Sequence, residues 1–178
     1  HGRVMGGVLA GSEELMTQVA VYCNSCGLAM SPFNAWQLLS GVETLSLRME
    51  KQFDNALKIA QWLQAQPHVQ AVYYTGLPDH PQAELIRKQQ NGGGIVIGFE
   101  VANTDAAWKV VDSVELFSRT ANLGDVRSTI THPWTTTHGR MQPEEKLAAN
   151  IRPGLVRLSV GLEYVDDLID DLKQALAR

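Results

Sequence analysis

The sequence predicts an α/β domain carried on a long helix, and two observations predict it. From residue 67 onward, short runs rich in β-branched and aromatic residues alternate with helical patterns, as in a sheet covered by helices. Ahead of that region, apolar residues recur every three or four positions over a stretch far longer than an average helix.

The elements follow in order. In the opening "HGRVMGGVLAG", the segment "VMGGVLAG" reads as a short strand flanked by glycines. Ser12 with Glu13 and Glu14 marks a helix start, an apolar helix runs to about Cys26, and Gly27 supplies the stop. Ser31 then suits an N-cap and Pro32 a first helical position. Trp36, Leu39, Val42, Leu45, Met49, Phe53, Ala56, Ala60 and Leu63 share one helical stripe, which holds to Gln66, just before Pro67. At 1.5 Å per residue such a helix spans roughly 50 Å, so it is expected to join two bodies, with a bend at Gly41. The boundary is placed at its end, between residues 1–66 and 67–178.

Beyond the boundary, "VQAVYYTG" reads as a strand, Pro81 to Gln90 as a helix and Gly94 to Val101 as a second strand. Thr104 to Ser113 is another helix, and "FSRTANLG" holds a third, shorter strand. "STITHPWTTTHGRMQP" reads as a loop, followed by a short helix from Pro143, a strand at 155–160 and a final helix. Val165, Leu168, Ile169, Leu172 and Leu176 share one face of that helix. Its acids (Asp166, Asp167, Asp170, Asp171) lie early and Lys173 and Arg178 late, which suits the helix dipole.

Composition narrows the function classes. The 178 residues are 44% hydrophobic and 19% charged, enough to bury a sizeable core. A net charge of -4 without a basic stripe argues against nucleic acid as a partner. No apolar run approaches the roughly 20 residues of a membrane span. There is no initiator Met and no signal pattern, so the chain reads as an internal piece of a longer protein.

Cys23 and Cys26 form a C-x-x-C pair, which can be a redox dithiol or half of a zinc site. A structural zinc needs about four ligands. No second C-x-x-C or H-x3-5-H is present, and the histidines are scattered at 1, 68, 80, 132 and 138. The pair therefore reads as two small buried thiols at chance spacing in a cytoplasmic protein, and no metal is expected.

The strand "GLVRLSVGLE" places Val156, Leu158, Val160 and Leu162 on one side and Arg157, with Leu155, Ser159 and Gly161, on the other. A guanidinium in such a run calls for an acidic partner or an open edge strand, and a salt bridge is the safer reading. The alternative is bidentate capture of a ligand carboxylate or phosphate. "HPWTTTHGR" offers hydroxyls in a turn-rich loop, and Asn122 in "ANLGD" places an amide ahead of a glycine turn. The glycines at 92–94 precede a strand, the wrong order for a phosphate cradle, and read as a turn. No nucleophile stands beside a companion base. That absence leaves a non-catalytic interaction domain open as a reading of the chain.

Together, "HGRVMGGVLAG", "SPFNAWQLLSGVETLSLRM", "ANLGDVRSTITHPWTTTH" and "GLVRLSVGLE" resemble, in order and spacing, the C-terminal part of the Cys/Met-metabolism enzymes that use pyridoxal phosphate. The resemblance covers essentially the whole chain. It implies the aspartate-aminotransferase type of fold (fold type I): residues 1–66 would end the large cofactor domain and form the connecting helix, and 67–178 would be the small α/β domain. It also implies that the Schiff-base lysine lies just upstream of "HGRVMGG". No catalytic or cofactor-binding residue is then expected within this chain, which alone would be inactive and bind no pyridoxal phosphate. By the same resemblance Arg157 grips the substrate's α-carboxylate, and Asn122 matches a position that is Ser in many γ-lyases. Thr137 belongs to a Thr-His pair near the substrate, and Trp134 departs from the small residue usual after "HP". "SPFNAW" and "ANLGDVRSTITHP" resemble the O-succinylhomoserine sulfhydrylase branch, with γ-lyases and cystathionine γ-synthases as the alternative. The implied partners are a small amino-acid substrate and further copies of the chain, as a homotetramer.

Overall fold

The computed structural model describes residues 2–178, so His1 lies outside the described residues. The chain forms two compact units, residues 1–46 and 47–178.

The first unit holds two helices, α1 (Glu13–Cys26) and α2 (Pro32–Glu43). Ser12 caps α1 by accepting from the Leu15 N–H, and Gly27 closes it in the left-handed region at φ +70°. Ser31 accepts from the Asn34 N–H, with Pro32 in the first turn of α2. The expected strand in "VMGGVLAG" does not form: among the described residues every strand belongs to the second unit. An isolated apolar triplet between glycines has no neighbouring strand to satisfy its backbone, and Met5 and Val8 are almost fully exposed. Asn34 Nδ2 donates to the Met5 carbonyl at 2.9 Å.

The long periodic stretch divides at Thr44, not at Gly41, which lies inside α2; α3 (Leu45–Gln64) follows. Thr44 sits at φ −109°, ψ 12°, and a β-branched hydroxyl residue is a poor helix former there. The buried stripe of α3 is Gln52, Asn55, Ala56, Ile59, Ala60 and Leu63. Two polar side chains thus share the face that enters the core.

The second unit is built on a five-stranded sheet. Its strands are β1 (Ala71–Tyr73), β2 (Val96–Glu100), β3 (Ser118–Arg119), β4 (Thr129–Thr131) and β5 (Leu155–Ser159), in the order β1-β2-β5-β4-β3. Only β3 and β4 pair in parallel. Strand β4 falls inside the segment read as a loop; its Thr-Ile-Thr triplet carries the β-branched signal, but three residues are too few to stand out. Helices α4 (Ala83–Gln89), α5 (Thr104–Ser113), α6 (Pro143–Ala148) and α7 (Val165–Leu176) complete the unit. Ile97, Phe99, Ile130, Val156 and Leu158 form the apolar face of the sheet, packed with α3, α5 and α7. Asp171 does more than answer the dipole of α7. It is buried and accepts from the backbone N–H of Glu115, Leu116 and Phe117 at 2.8, 2.8 and 3.1 Å, which fixes the turn into β3.

Candidate functional site

The opposite face of the sheet is polar because the alternation that buries Val156 and Leu158 turns Arg157 and Ser159 the other way. Strand β5 is the central strand, so Arg157 is not on an open edge. Across the sheet it pairs with Gly98 on one side and Thr131 on the other. Among the described residues no carboxylate forms an ion pair with it. The acid nearest along β2, Glu100, is already held by the Tyr73 hydroxyl at 2.7 Å and by Arg152 at 3.5 Å. The salt-bridge reading of Arg157 is therefore overturned. Its recorded partner is the carbonyl of Ala121, to which Nη2 donates at 3.0 Å. Burial lowers the pKa of this guanidinium from its ordinary value, yet an arginine keeps its charge. The result is a half-buried cation with most of its N–H fork uncommitted.

The segment that holds Arg157 is itself held. The Thr129 hydroxyl donates to the Asn122 carbonyl at 2.8 Å, and the Gly124 N–H donates to the Ser159 hydroxyl at 3.1 Å. Gly124 takes φ +83°, a left-handed turn that a side chain would resist. Beyond it, the Glu163 carboxylate accepts from the Ser128 N–H at 2.6 Å and the Ser128 hydroxyl at 2.8 Å. Gly161 permits this close approach: a Cβ there would lie 2.4 Å from both Glu163 Oε2 and the Val126 carbonyl. From α3, Gln52 Nε2 donates to the carbonyls of Asp125 and Val160, and Asn55 Nδ2 to those of Gly161 and Glu163.

Of the three residues singled out from the sequence, Arg157 and Asn122 are brought together, through the Ala121 carbonyl one residue away. Asn122 is exposed, and its carbonyl, not its amide, makes the recorded bond. Thr137 is exposed on the neighbouring loop, its hydroxyl 2.8 Å from Nδ1 of His138. That loop reaches the strand through Thr136, whose hydroxyl lies 3.0 Å from that of Thr131, the cross-strand partner of Arg157. His132 is fully buried, with Nε2 2.8 Å from the Pro153 carbonyl and Nδ1 2.8 Å from the Thr135 hydroxyl. Burial lowers its pKa, so it is a neutral brace of the loop. Trp134 has a structural reason: Lys146 lies over its ring at 4.8 Å.

Sequence reading missed Gln52, Asn55, Ser128, Thr129, Ser159 and Glu163. For Gln52 and Asn55 a signal existed, since both occupy core positions of the helical stripe. The cysteines differ from expectation in burial: Cys23 is partly buried and Cys26 exposed, both as free thiols. Among the described residues no cluster of His, Cys, Asp and Glu could hold a metal ion, and no helix is long and apolar enough to cross a membrane.

Residues 1–177 match the sequence pattern of the family described as Cys/Met metabolism PLP-dependent enzymes. An O-succinylhomoserine sulfhydrylase of Pseudomonas aeruginosa is 49% identical over 99% of this chain and 44% of its own length. An L-methionine gamma-lyase of Porphyromonas gingivalis is 42% identical over 99% of this chain and 45% of its own. The chain thus spans a little under half the length of these relatives. Among solved structures, one described as an O-acetylhomoserine (thiol)-lyase of Campylobacter jejuni carries a pyridoxyl-lysine phosphate. It superposes with a TM-score of 0.85 at 38% identity, over 92% of this chain and 39% of that one. A cystathionine gamma lyase of Micromonospora echinospora superposes with a TM-score of 0.89 at 33% identity, over 94% and 44%. The chain belongs to the Cys/Met-metabolism family of pyridoxal-phosphate-dependent enzymes, with their fold type I architecture.

Proposed function

We propose that the protein containing this chain is an O-succinylhomoserine sulfhydrylase, and that the chain supplies the side of its site that grips the substrate's α-carboxylate. Sulfide displaces succinate from the γ-carbon of O-succinylhomoserine, giving homocysteine. The observation that carries the reading is Arg157: a half-buried guanidinium on the central strand, with no acidic partner among the described residues and one N–H on the Ala121 carbonyl. A planar fork with free N–H groups fits a carboxylate in two-point geometry. In this reading Asn122, next in sequence to Ala121, serves the carboxylate, and Thr137, on the loop after β4, serves the rest of the substrate. We assign none of this chain's side chains to holding pyridoxal phosphate. Bound in the whole protein, that group supplies the electron sink for γ-carbon chemistry.

The sulfhydrylase assignment is supported by relatives that carry this name at 49% and 43% identity. The 42% identical methionine gamma-lyase supports the second reading, γ-elimination to an oxo acid. In the proposed reading residues 1–66 end the large cofactor domain and form its connecting helix, and residues 67–178 are the small domain. The whole protein is a cytoplasmic homotetramer. Full-length protein given O-succinylhomoserine and sulfide is expected to yield homocysteine and succinate; 2-oxobutyrate as the main product would replace the first reading with the second.

A further inference from the structure

Thr129 and Ser159 are buried hydroxyl residues directly opposite one another in the β4–β5 register, on the same face of the sheet as Arg157. Each makes one bond to the loop above. The Thr129 hydroxyl donates to the Asn122 carbonyl at 2.8 Å, and the Ser159 hydroxyl accepts from the Gly124 N–H at 3.1 Å. The loop is thus pinned at both ends of a three-residue span. The residue immediately before that span, Ala121, presents the carbonyl that takes Nη2 of Arg157 at 3.0 Å.

An arginine side chain has several free torsions, and a guanidinium facing solvent samples many orientations unless something holds it. Among the described residues no carboxylate does so. The holding group is a backbone carbonyl: just before it the Thr120 N–H donates to the Ile130 carbonyl at 3.2 Å, and just after it the two hydroxyls clamp the chain. We infer that Thr129 and Ser159 are positioning residues for Arg157: by clamping residues 122–124 they hold the Ala121 carbonyl where it fixes the guanidinium for a substrate carboxylate. The inference rests on the proposed role of Arg157 and extends it to two residues whose hydroxyls bond the backbone of the adjoining loop. Each hydroxyl bonds backbone, so the requirement is for a donor at 129 and an acceptor at 159, not for bulk.

The test uses full-length enzyme and the variants Thr129→Val, Thr129→Ser, Ser159→Ala and Arg157→Ala, each checked for an unchanged melting temperature. Thr129→Val keeps the shape of the side chain and removes its donor. Loss of one neutral hydrogen bond should raise the KM for O-succinylhomoserine about threefold to tenfold in Thr129→Val and Ser159→Ala, with kcat largely kept. Thr129→Ser restores the donor and should restore KM, which a role in packing alone would not predict. If Arg157→Ala raises KM while both folded hydroxyl variants match wild type, the positioning inference is wrong and the carboxylate role stands. If Arg157→Ala itself leaves KM unchanged, both are wrong.

Discussion

The two faces of the five-stranded sheet come from the same strands and carry opposite chemistry. On one face Ile97, Phe99, Ile130, Val156 and Leu158 are sealed against α3, α5 and α7. On the other, Glu100, Thr129, Thr131, Arg157 and Ser159 are committed to hydrogen bonds and one ion pair. The apolar face tolerates no vacancy, because interiors are close-packed and a cavity keeps its cost. The polar face is built by a different rule. Its buried hydroxyls each have a named partner, and Arg157 keeps donors that no group among the described residues takes up. What the contrast teaches is that a sealed apolar face and a hydrogen-bonded polar face are separated by a period of two along each strand.

Substitutions can break that separation. The largest effect belongs to the apolar face: Phe99→Ala should destabilise the chain by about 3–5 kcal/mol, read by denaturant unfolding. A loss under about 1 kcal/mol would mean that this face is not the core. Next comes the polar face. Arg157→Ala in the full-length enzyme should weaken amino-acid binding by about 2–5 kcal/mol while leaving cofactor absorbance and the unfolding midpoint nearly unchanged. A large drop in stability with an unchanged KM would reverse the assignment of the two faces.

The smallest effect concerns His132, a polar ring on the buried side, edge-on to Trp108 at 5.6 Å. Its folded pKa lies below the ordinary 6.5, with burial as the first cause. Above pH 6.5 both the folded and unfolded states hold it neutral. As pH falls below 6.5 the unfolded chain takes the proton first, so stability falls until the folded imidazole also titrates. The slope from this group is at most about 1.4 kcal/mol per pH unit. Melting temperatures between pH 7 and 5 should show the decline, and His132→Gln should flatten it. An equally steep decline in that variant would assign the effect to other groups.

Much of the fold was legible in the chain. Ser12, Ser31 and Gly27 act at helix ends as their chemistry requires, and the alternation in "LVRLS" settled which side of β5 is buried. The helical stripe from Trp36 to Leu63 was legible as a period, but the period did not tell how much of it is covered. Ala56, Ala60 and Leu63 are buried, whereas Trp36, Leu39 and Val42 are exposed in this chain. Periodicity reports amphipathicity, and a partner is a separate fact. The break at Thr44 and the strand at Thr129–Thr131 were missed because each rests on a few residues whose neighbours decide between competing states.

By itself, then, the sequence determined the capped helix ends, the sidedness of β5 and, through its ordered motifs, the family. Short-range sterics, capping chemistry and the two periodicities are written in neighbouring residues, so no folding is needed to read them. Only the tertiary structure decided that β5 is central, that Glu100 belongs to Tyr73 and Arg152, and that Arg157 is left to the Ala121 carbonyl. Those outcomes depend on pairings between residues tens of positions apart, where several partners compete for one charge. Which of them wins is a matter of distance in the folded chain.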